Sequence, residues 1–426
     1  MPHLNKTRSH AGDLRGASQL VIDATRGVTS VVEAMHLAIA GGPAALGQPL
    51  AAPAIAPIYR MIRGVTHLVG TSIDLALAPL APLLGSSAPG IERELMLAAL
   101  NGVFGDYLCE RKNPLAIAMA LRQRGEPLEL SPGALSRTSP HAGRKIVVLV
   151  HGLCMTDHQW TRGGHDHGAA LAADLGYTPV YVHYNTGLHV SSNGRELAAQ
   201  LEQLVAAWPV ALDELAILGH SMGGLVARSA LHAGEQAGHA WRSRVTALIT
   251  LGTPHHGAPL ERAGHWVDRL LELSRYSAPL ARLGRRRSAG ILDLRYGNVL
   301  GEHRRGFDRF EHRDDRRPLP LPDDVACYAI AGTVTAPLGP RLASDGLVPV
   351  SSALGVHDSP AQTLGFLDDH RWIAAGVRHI DLLGAAAVYA TIRSWLSSTG
   401  ETRTPIRRGS DDAPGDPGAR PAPMYT

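Results

Sequence analysis

Cysteine, aromatic side chains and charge are all scarce in this chain of 426 residues, and each scarcity excludes something. The three cysteines, Cys109, Cys154 and Cys327, are odd in number and far apart. That does not suit the disulfide framework of a secreted protein, so a reducing compartment is expected. Aromatics make up 5% of the chain, which leaves no basis for stacking platforms for bases or sugars. Charged residues make up 19% and the net charge is only +3, which argues against a dedicated nucleic-acid binder. The most apolar stretch, Gly64 to Gly85, is interrupted by His67, Asp74, Pro79 and Pro82, so it is not expected to span a membrane. The first sixteen residues carry charge but no apolar run and no small-residue cleavage site. No secretory signal is expected, and the location expected is cytoplasmic or membrane-peripheral. No cofactor is expected. His165-Asp166-His167 and His255-His256 are clusters, but no HExxH or Cys-pair spacing accompanies them, so no metal site is expected either.

What the chain does contain is organised around Leu215 to Ala233, a short apolar run that passes through Gly219-His220-Ser221-Met222-Gly223 into an amphipathic pattern. A strand that reverses sharply into a helix brings flanking Cβ atoms into contact, and glycines two places before and after the serine remove that clash. Such a turn strains the Ser221 backbone and lifts its Oγ above the sheet. It also leaves the Met222 N–H at the positive end of the new helix. With 46 glycines in the chain, the pentapeptide alone arises by chance in roughly one of three or four such chains. Context strengthens it: Leu215 to Leu218 reads as a buried strand, and Leu225, Val226, Ser229 and Ala230 follow at helical spacing.

The rest of the chain divides around this point. Residues from about 17 to 124 read as Ala/Leu-rich amphipathic helices, with a faint repeat of Arg26-Gly27-Val28-Thr29 as Arg63-Gly64-Val65-Thr66. We take 1–130 as a helical N-terminal region that could serve as an interfacial arm. A Ser/Pro/Gly-rich linker, Ser131 to Gly143, then gives way to apolar runs alternating with helical patterns. Strands are expected at Lys145 to Val150, Tyr177 to Tyr184, Leu215 to Gly219, Val245 to Leu251 and Val325 to Ala331, with the last at Gln362 to Phe366 or Arg371 to Ala375. This grammar implies an α/β fold over 140–397, with a mostly parallel sheet covered by helices on both faces. An insertion between two late strands, 254–324, is far longer than a normal crossover and rich in arginine, and reads as a cap. The Pro-rich tail, 398–426, has almost nothing to bury and reads as disordered.

A nucleophilic serine needs a base, and the base needs an orienting acid, both on loops beyond later strands. Asp345 lies in Ser344-Asp345-Gly346-Leu347-Val348-Pro349, where an acid followed by glycine, an apolar pair and proline describes a tight loop. Asp323, Asp324 and Asp358 lack that framing. His379 sits between the last strand and the last helix, with His370 its nearest rival among 22 histidines. His141 and His158 read as solvated. The second oxyanion donor is expected from Val150-His151-Gly152-Leu153-Cys154, where the Leu153 N–H can join that of Met222. Cys154 reads as packing.

HGL at His151 to Leu153, YNTG at Tyr184 to Gly187, GHSMGG at Gly219 to Gly224, LGTPHHG at Leu251 to Gly257, SDGLVP at Ser344 to Pro349 and RHIDLL at Arg378 to Leu383 together resemble the α/β-hydrolase superfamily. Within it they are similar to bacterial lipases and esterases related to the GPI inositol-deacylase-like group. The resemblance implies Ser221 as nucleophile, His379 as general base and then acid, Asp345 as the orienting group, and Leu153 and Met222 as oxyanion donors. Gly219 and Gly223 would shape the elbow. It implies a serine carboxylic-ester hydrolase but does not reach residues 1–130. The apolar N-terminal helices and the scarcity of charge around them are the ground for expecting apolar acyl esters or lipids as substrate and a peripheral membrane contact. An acyltransferase or thioesterase with the same triad, and a non-catalytic hydrolase-fold module that binds a membrane or partner, are the alternatives.

Overall fold

The computed structural model describes residues 15, 16, 18, 19, 90–257, 288–301, 316–334 and 343–399. The sequence repeat, the two apolar helical segments before residue 90, most of the insertion and the Pro-rich tail lie outside these residues.

Eight strands form one sheet. In chain order they are β1 Ala120–Gln123, β2 Glu126–Pro127, β3 Lys145–Val150, β4 Tyr177–His183, β5 Glu214–His220, β6 Val245–Leu251, β7 Ala326–Thr333 and β8 Arg371–Ala375. The spatial order is β2-β1-β4-β3-β5-β6-β7-β8. β3 to β8 pair in parallel, and β1 pairs antiparallel with both β2 and β4. The last strand is thus Arg371–Ala375, and 362–366 is irregular. The β1–β2 hairpin departs from the helical reading of 17–124. Arg124 and Gly125 adopt φ of +53° and +80°, which turns the chain back on itself.

The central strands are buried on both faces, and their side chains alternate between two cores. Ile146, Val148 and Val150 of β3 point into one, with Leu215 and Ile217 of β5. Val147, Leu149, Ala216 and Leu218 point into the other. The first core is closed by α4 Val190–Ala207, through Leu197, Leu201 and Leu204, and by α5 Met222–Gln236, through Leu225, Val226 and Ala230. The second is closed by α3 His167–Leu175, through Leu171, and by α8 Ala386–Thr399, through Val388, Ile392 and Leu396. Each fully buried leucine contributes about 2 kcal/mol of transfer free energy, which explains the spacing of three and four along α4.

Three shorter α-helices and one longer one are also described. α2, Pro132–Thr138, begins with proline at its first turn inside the stretch read as a linker. α6, Ala289–Tyr296, is the helical part of the insertion, capped by Ser288 Oγ at one end and by Gly297 at φ +67° at the other. α7, Val350–Ala353, follows the Asp345 loop. α1, Ile91–Glu110, is the described part of the N-terminal region. It lies against the loop after β4 and the start of α6: Asn185 Nδ2 donates to Gly105 O at 3.0 Å, and Ser288 Oγ donates to Gly102 O at 2.6 Å. Among the described residues no helix is long and apolar enough to cross a membrane.

Candidate active site

Ser221 sits between β5 and α5 with φ +53° and ψ −123°, one of four non-glycine residues with positive φ among those described. Its N–H donates to Leu251 O at 2.8 Å, which holds the turn against β6. The turn is possible only without side chains beside it. A Cβ on Gly219 would lie 2.6 Å from the Gly224 backbone, and one on Gly223 would overlap the Val150 carbonyl.

The loops beyond β7 and β8 bring an acid and a histidine together. Asp345 Oδ1 accepts from the N–H groups of Leu347 at 2.9 Å and Val348 at 2.7 Å, as the tight loop requires. His379 Nδ1 donates to Asp345 Oδ2 at 2.7 Å, with both side chains buried. A carboxylate oxygen can only accept here, so in the neutral ring the proton sits on Nδ1 and Nε2 carries the lone pair. The His379 N–H also donates to Asp345 O at 3.1 Å, so main chain and side chain are both tied. His379 Nε2 and Ser221 Oγ are buried without a hydrogen-bond partner among the described residues.

The rivals are engaged elsewhere. Asp324 pairs with Arg242 at 2.7 Å, and His370 Nδ1 donates to Cys327 O at 3.1 Å. Among the histidines read as solvated, His141 is exposed, but His158 is half-buried and donates from Nε2 to Glu94 Oε2 at 2.9 Å.

The Leu153 N–H lies in the loop after β3 and is not used in a backbone hydrogen bond, and Met222 opens α5, whose first N–H groups have no intrahelical acceptor. The loop carrying Leu153 is held by residues whose role was not legible in the sequence. Tyr184 Oη donates to His151 O at 2.7 Å, and Thr186 Oγ1 accepts from the Cys154 N–H at 3.1 Å. The YNTG stretch is therefore the brace of this loop. In the sequence it stands among the motifs that carry the resemblance, with no role assigned to its residues. His151 donates from Nδ1 to Gly152 O at 2.9 Å, and burial brings its ring down to about 3, so it orders the loop as a neutral group. Burial also pushes the Cys154 thiol up to about 12, which leaves no activated thiolate.

Glu94, Asp157 and His158 present ligand-type atoms within 4.8 Å of one another. The Arg122 guanidinium lies 3.0 Å from both Glu94 Oε2 and Asp157 Oδ1, so one positive charge is shared between the two carboxylates, with His158 Nε2 at 2.9 Å from Glu94 and His183 Nδ1 at 3.4 Å from Asp157. Burial alone would raise the Glu94 carboxyl, but hydrogen bonds from His158 and Arg122 outweigh it and bring it to about 2. The cluster joins α1 and β1 to the loop after β3 as an ion-pair network.

Residues 141–287 match the PGAP1-like alpha/beta domain family. Over 148 residues the chain is 28% identical to a triacylglycerol lipase of Burkholderia plantarii, a match that covers 34% of this chain and 39% of that one. It spans about two fifths of the lipase's length. Similar solved structures include the mature form of the Bacillus licheniformis lipase BlEst2, with a TM-score of 0.39 and 20% identity over 66% of this chain and 98% of that one. The RedJ thioesterase of Streptomyces coelicolor has a TM-score of 0.34 and 19% identity over 65% of this chain and 97% of that one. Residues 141–287, which hold the strained serine between β5 and α5, match the PGAP1-like alpha/beta domain, and the loops after β7 and β8 bring the acid and the histidine together outside that stretch.

Proposed function

We propose that this protein is a serine carboxylic-ester hydrolase of the lipase or esterase type, which cleaves apolar acyl esters through an acyl-enzyme on Ser221. The observation that carries this reading is the buried 2.7 Å bond from His379 Nδ1 to Asp345 Oδ2, which leaves Nε2 available next to a chain turn built around one serine. Ser221 Oγ attacks the ester carbonyl while His379 Nε2 takes its proton. The N–H groups of Leu153 and Met222 receive the oxyanion. His379 then returns the proton to the leaving alcohol, and water attacks the acyl-enzyme with the same residue as base. Asp345 holds the tautomer and the ring.

The lipase name of the Burkholderia relative and the apolar N-terminal sequence favour a lipid-like substrate and peripheral membrane contact. Failure of the intact chain to float with phospholipid vesicles would remove the second of these. An acyltransferase or thioesterase shares the first half-reaction and is separated by product analysis with alcohol and thioester substrates. The non-catalytic alternative predicts no labelling by a serine-directed phosphonate.

The direct test is hydrolysis of p-nitrophenyl esters from short to long acyl chains by the intact protein and by Ser221→Ala. The expected result is loss of kcat by at least about a thousandfold in the variant, with the melting temperature retained. Equal rates in both proteins would end the serine reading.

A further inference from the structure

His220, the last residue of β5, is fully buried beside the nucleophile and has no part in the reaction as written above. Its Nε2 lies 3.1 Å from the carbonyl oxygen of His379. A carbonyl can only accept, so Nε2 carries the proton. Nδ1 is bare, and it is buried without a partner. That nitrogen faces the loop after β3: a Cβ on Gly152 would lie 3.2 Å from it and 3.1 Å from the Ser221 Cβ. The ring also stands 4.7 Å from the His379 ring, tilted by 46°, and 6.5 Å from the Trp160 ring, edge-on.

We infer that His220 is a positioning residue, whose Nε2–H holds the main chain of His379 at a set distance from Ser221. The inference rests on the triad reading above. The His379 main chain has two ties. Its N–H donates to Asp345 O, and its carbonyl accepts from His220. The first sets the base relative to its acid. The second sets it relative to the nucleophile, because His220 and Ser221 are consecutive residues on one strained turn. Without the second tie, the Asp345–His379 pair can swing as a unit and keep its own hydrogen bond while losing reach to Ser221 Oγ.

The groups that bear on the His220 charge are consistent with a permanently neutral donor. Burial lowers its basicity most, and the neighbouring His379, His151 and His167 lower it further. Asp345 lies on the far side of His379, bonded to it. A neutral His220 adds no repulsion when His379 becomes an imidazolium.

The test compares His220→Phe, which keeps a ring and loses the donor, with His220→Gln, whose amide N–H can reach the same carbonyl. kcat and KM are measured separately on one p-nitrophenyl ester, together with the rate of phosphonate labelling of Ser221. The Phe variant is expected to lose about tenfold or more in kcat, the worth of one hydrogen bond, with KM within about twofold and labelling slowed by the same factor. Gln is expected to recover most of both rates. Equal losses in Phe and Gln, or a loss confined to KM, would overturn the inference and make His220 a packing residue. If Phe melts well below the parent, His220→Met supplies a donor-free side chain of smaller bulk for the same comparison. A parent protein that is neither labelled nor impaired by Ser221→Ala would instead overturn the triad reading, whatever the His220 variants do.

Discussion

Gly252→Ala is expected to slow ester hydrolysis without removing any reacting group. Gly252 follows β6 with φ +56°, a conformation that costs a residue with a Cβ about 1–2 kcal/mol. A Cβ there would also lie 3.0 Å from both Asp345 Oδ2 and His379 Nδ1, and 2.9 Å from Leu382 Cδ1. Restoring an ordinary contact of 3.4 Å requires the 2.7 Å Asp345–His379 pair to move by about 0.4 Å. Since a 1 Å misplacement can cost about a hundredfold, the expected loss in kcat is about tenfold, with a fall in melting temperature of a few degrees. Removing the carboxylate altogether sets the ceiling, about ten-thousandfold where the imidazole tautomer is lost. The assay is kcat on a p-nitrophenyl ester for Gly252→Ala, Asp345→Asn and the double variant, each with a thermal melt. Because both changes act on one pair, the double variant should be within about twofold of Asp345→Asn alone. Full activity in a folded Gly252→Ala protein, or losses that multiply in the double variant, would refute the argument that this glycine exists to admit the pair.

Acid should unfold the protein early. Burial lowers the basicity of His151, His220 and His255, which stay neutral when folded but take up protons near the ordinary value of 6.5 once unfolded. The unfolded state therefore binds more protons below that value, and stability falls with pH. His151, held down to about 3, removes about 2 kcal/mol by pH 5, and His220 and His255 act in the same direction. Denaturant unfolding at pH 7.5 and at 5.5 measures this, and equal stabilities would contradict it. At the other end of the site, Gly102→Ala on α1 should be destabilised by about 1–3 kcal/mol, because the new methyl overlaps Cys154 Sγ beside Leu153. Adding Cys154→Ala should restore most of the melting temperature and of the esterase rate. No recovery in the double variant would show that α1 does not press on this loop.

Some parts of the site were legible because their physics is local. Glycines flanking a serine between a short apolar run and a helical pattern describe a strained turn, and the φ of +53° at Ser221 is that strain. An acid before glycine and an apolar pair describes a loop whose amides reach the carboxylate, as those of Leu347 and Val348 do. Other parts were not legible. The hairpin at 120–127 follows directly on a helical pattern, and its turn at Arg124 and Gly125 and its antiparallel pairing with β4 set it apart only in the folded chain. Two segments competed for the last strand, and the parallel neighbour β7 selected Arg371–Ala375.

Sequence alone determined what one turn can carry: a strained serine at position 221, the strands around it, and the order in which an acid and a histidine follow. Those depend on backbone sterics and on a hydrophobic period of two or 3.6, which act between near neighbours. Tertiary structure decided which groups meet. The His220 contact to His379 spans 159 residues, the Cys154 contact to Thr186 spans 32, and the ion pair that ties α1 to the β3 loop runs through Arg122 to Glu94 and Asp157. No local pattern encodes such pairings, because they arise only when separately folded loops are brought to the same end of the sheet.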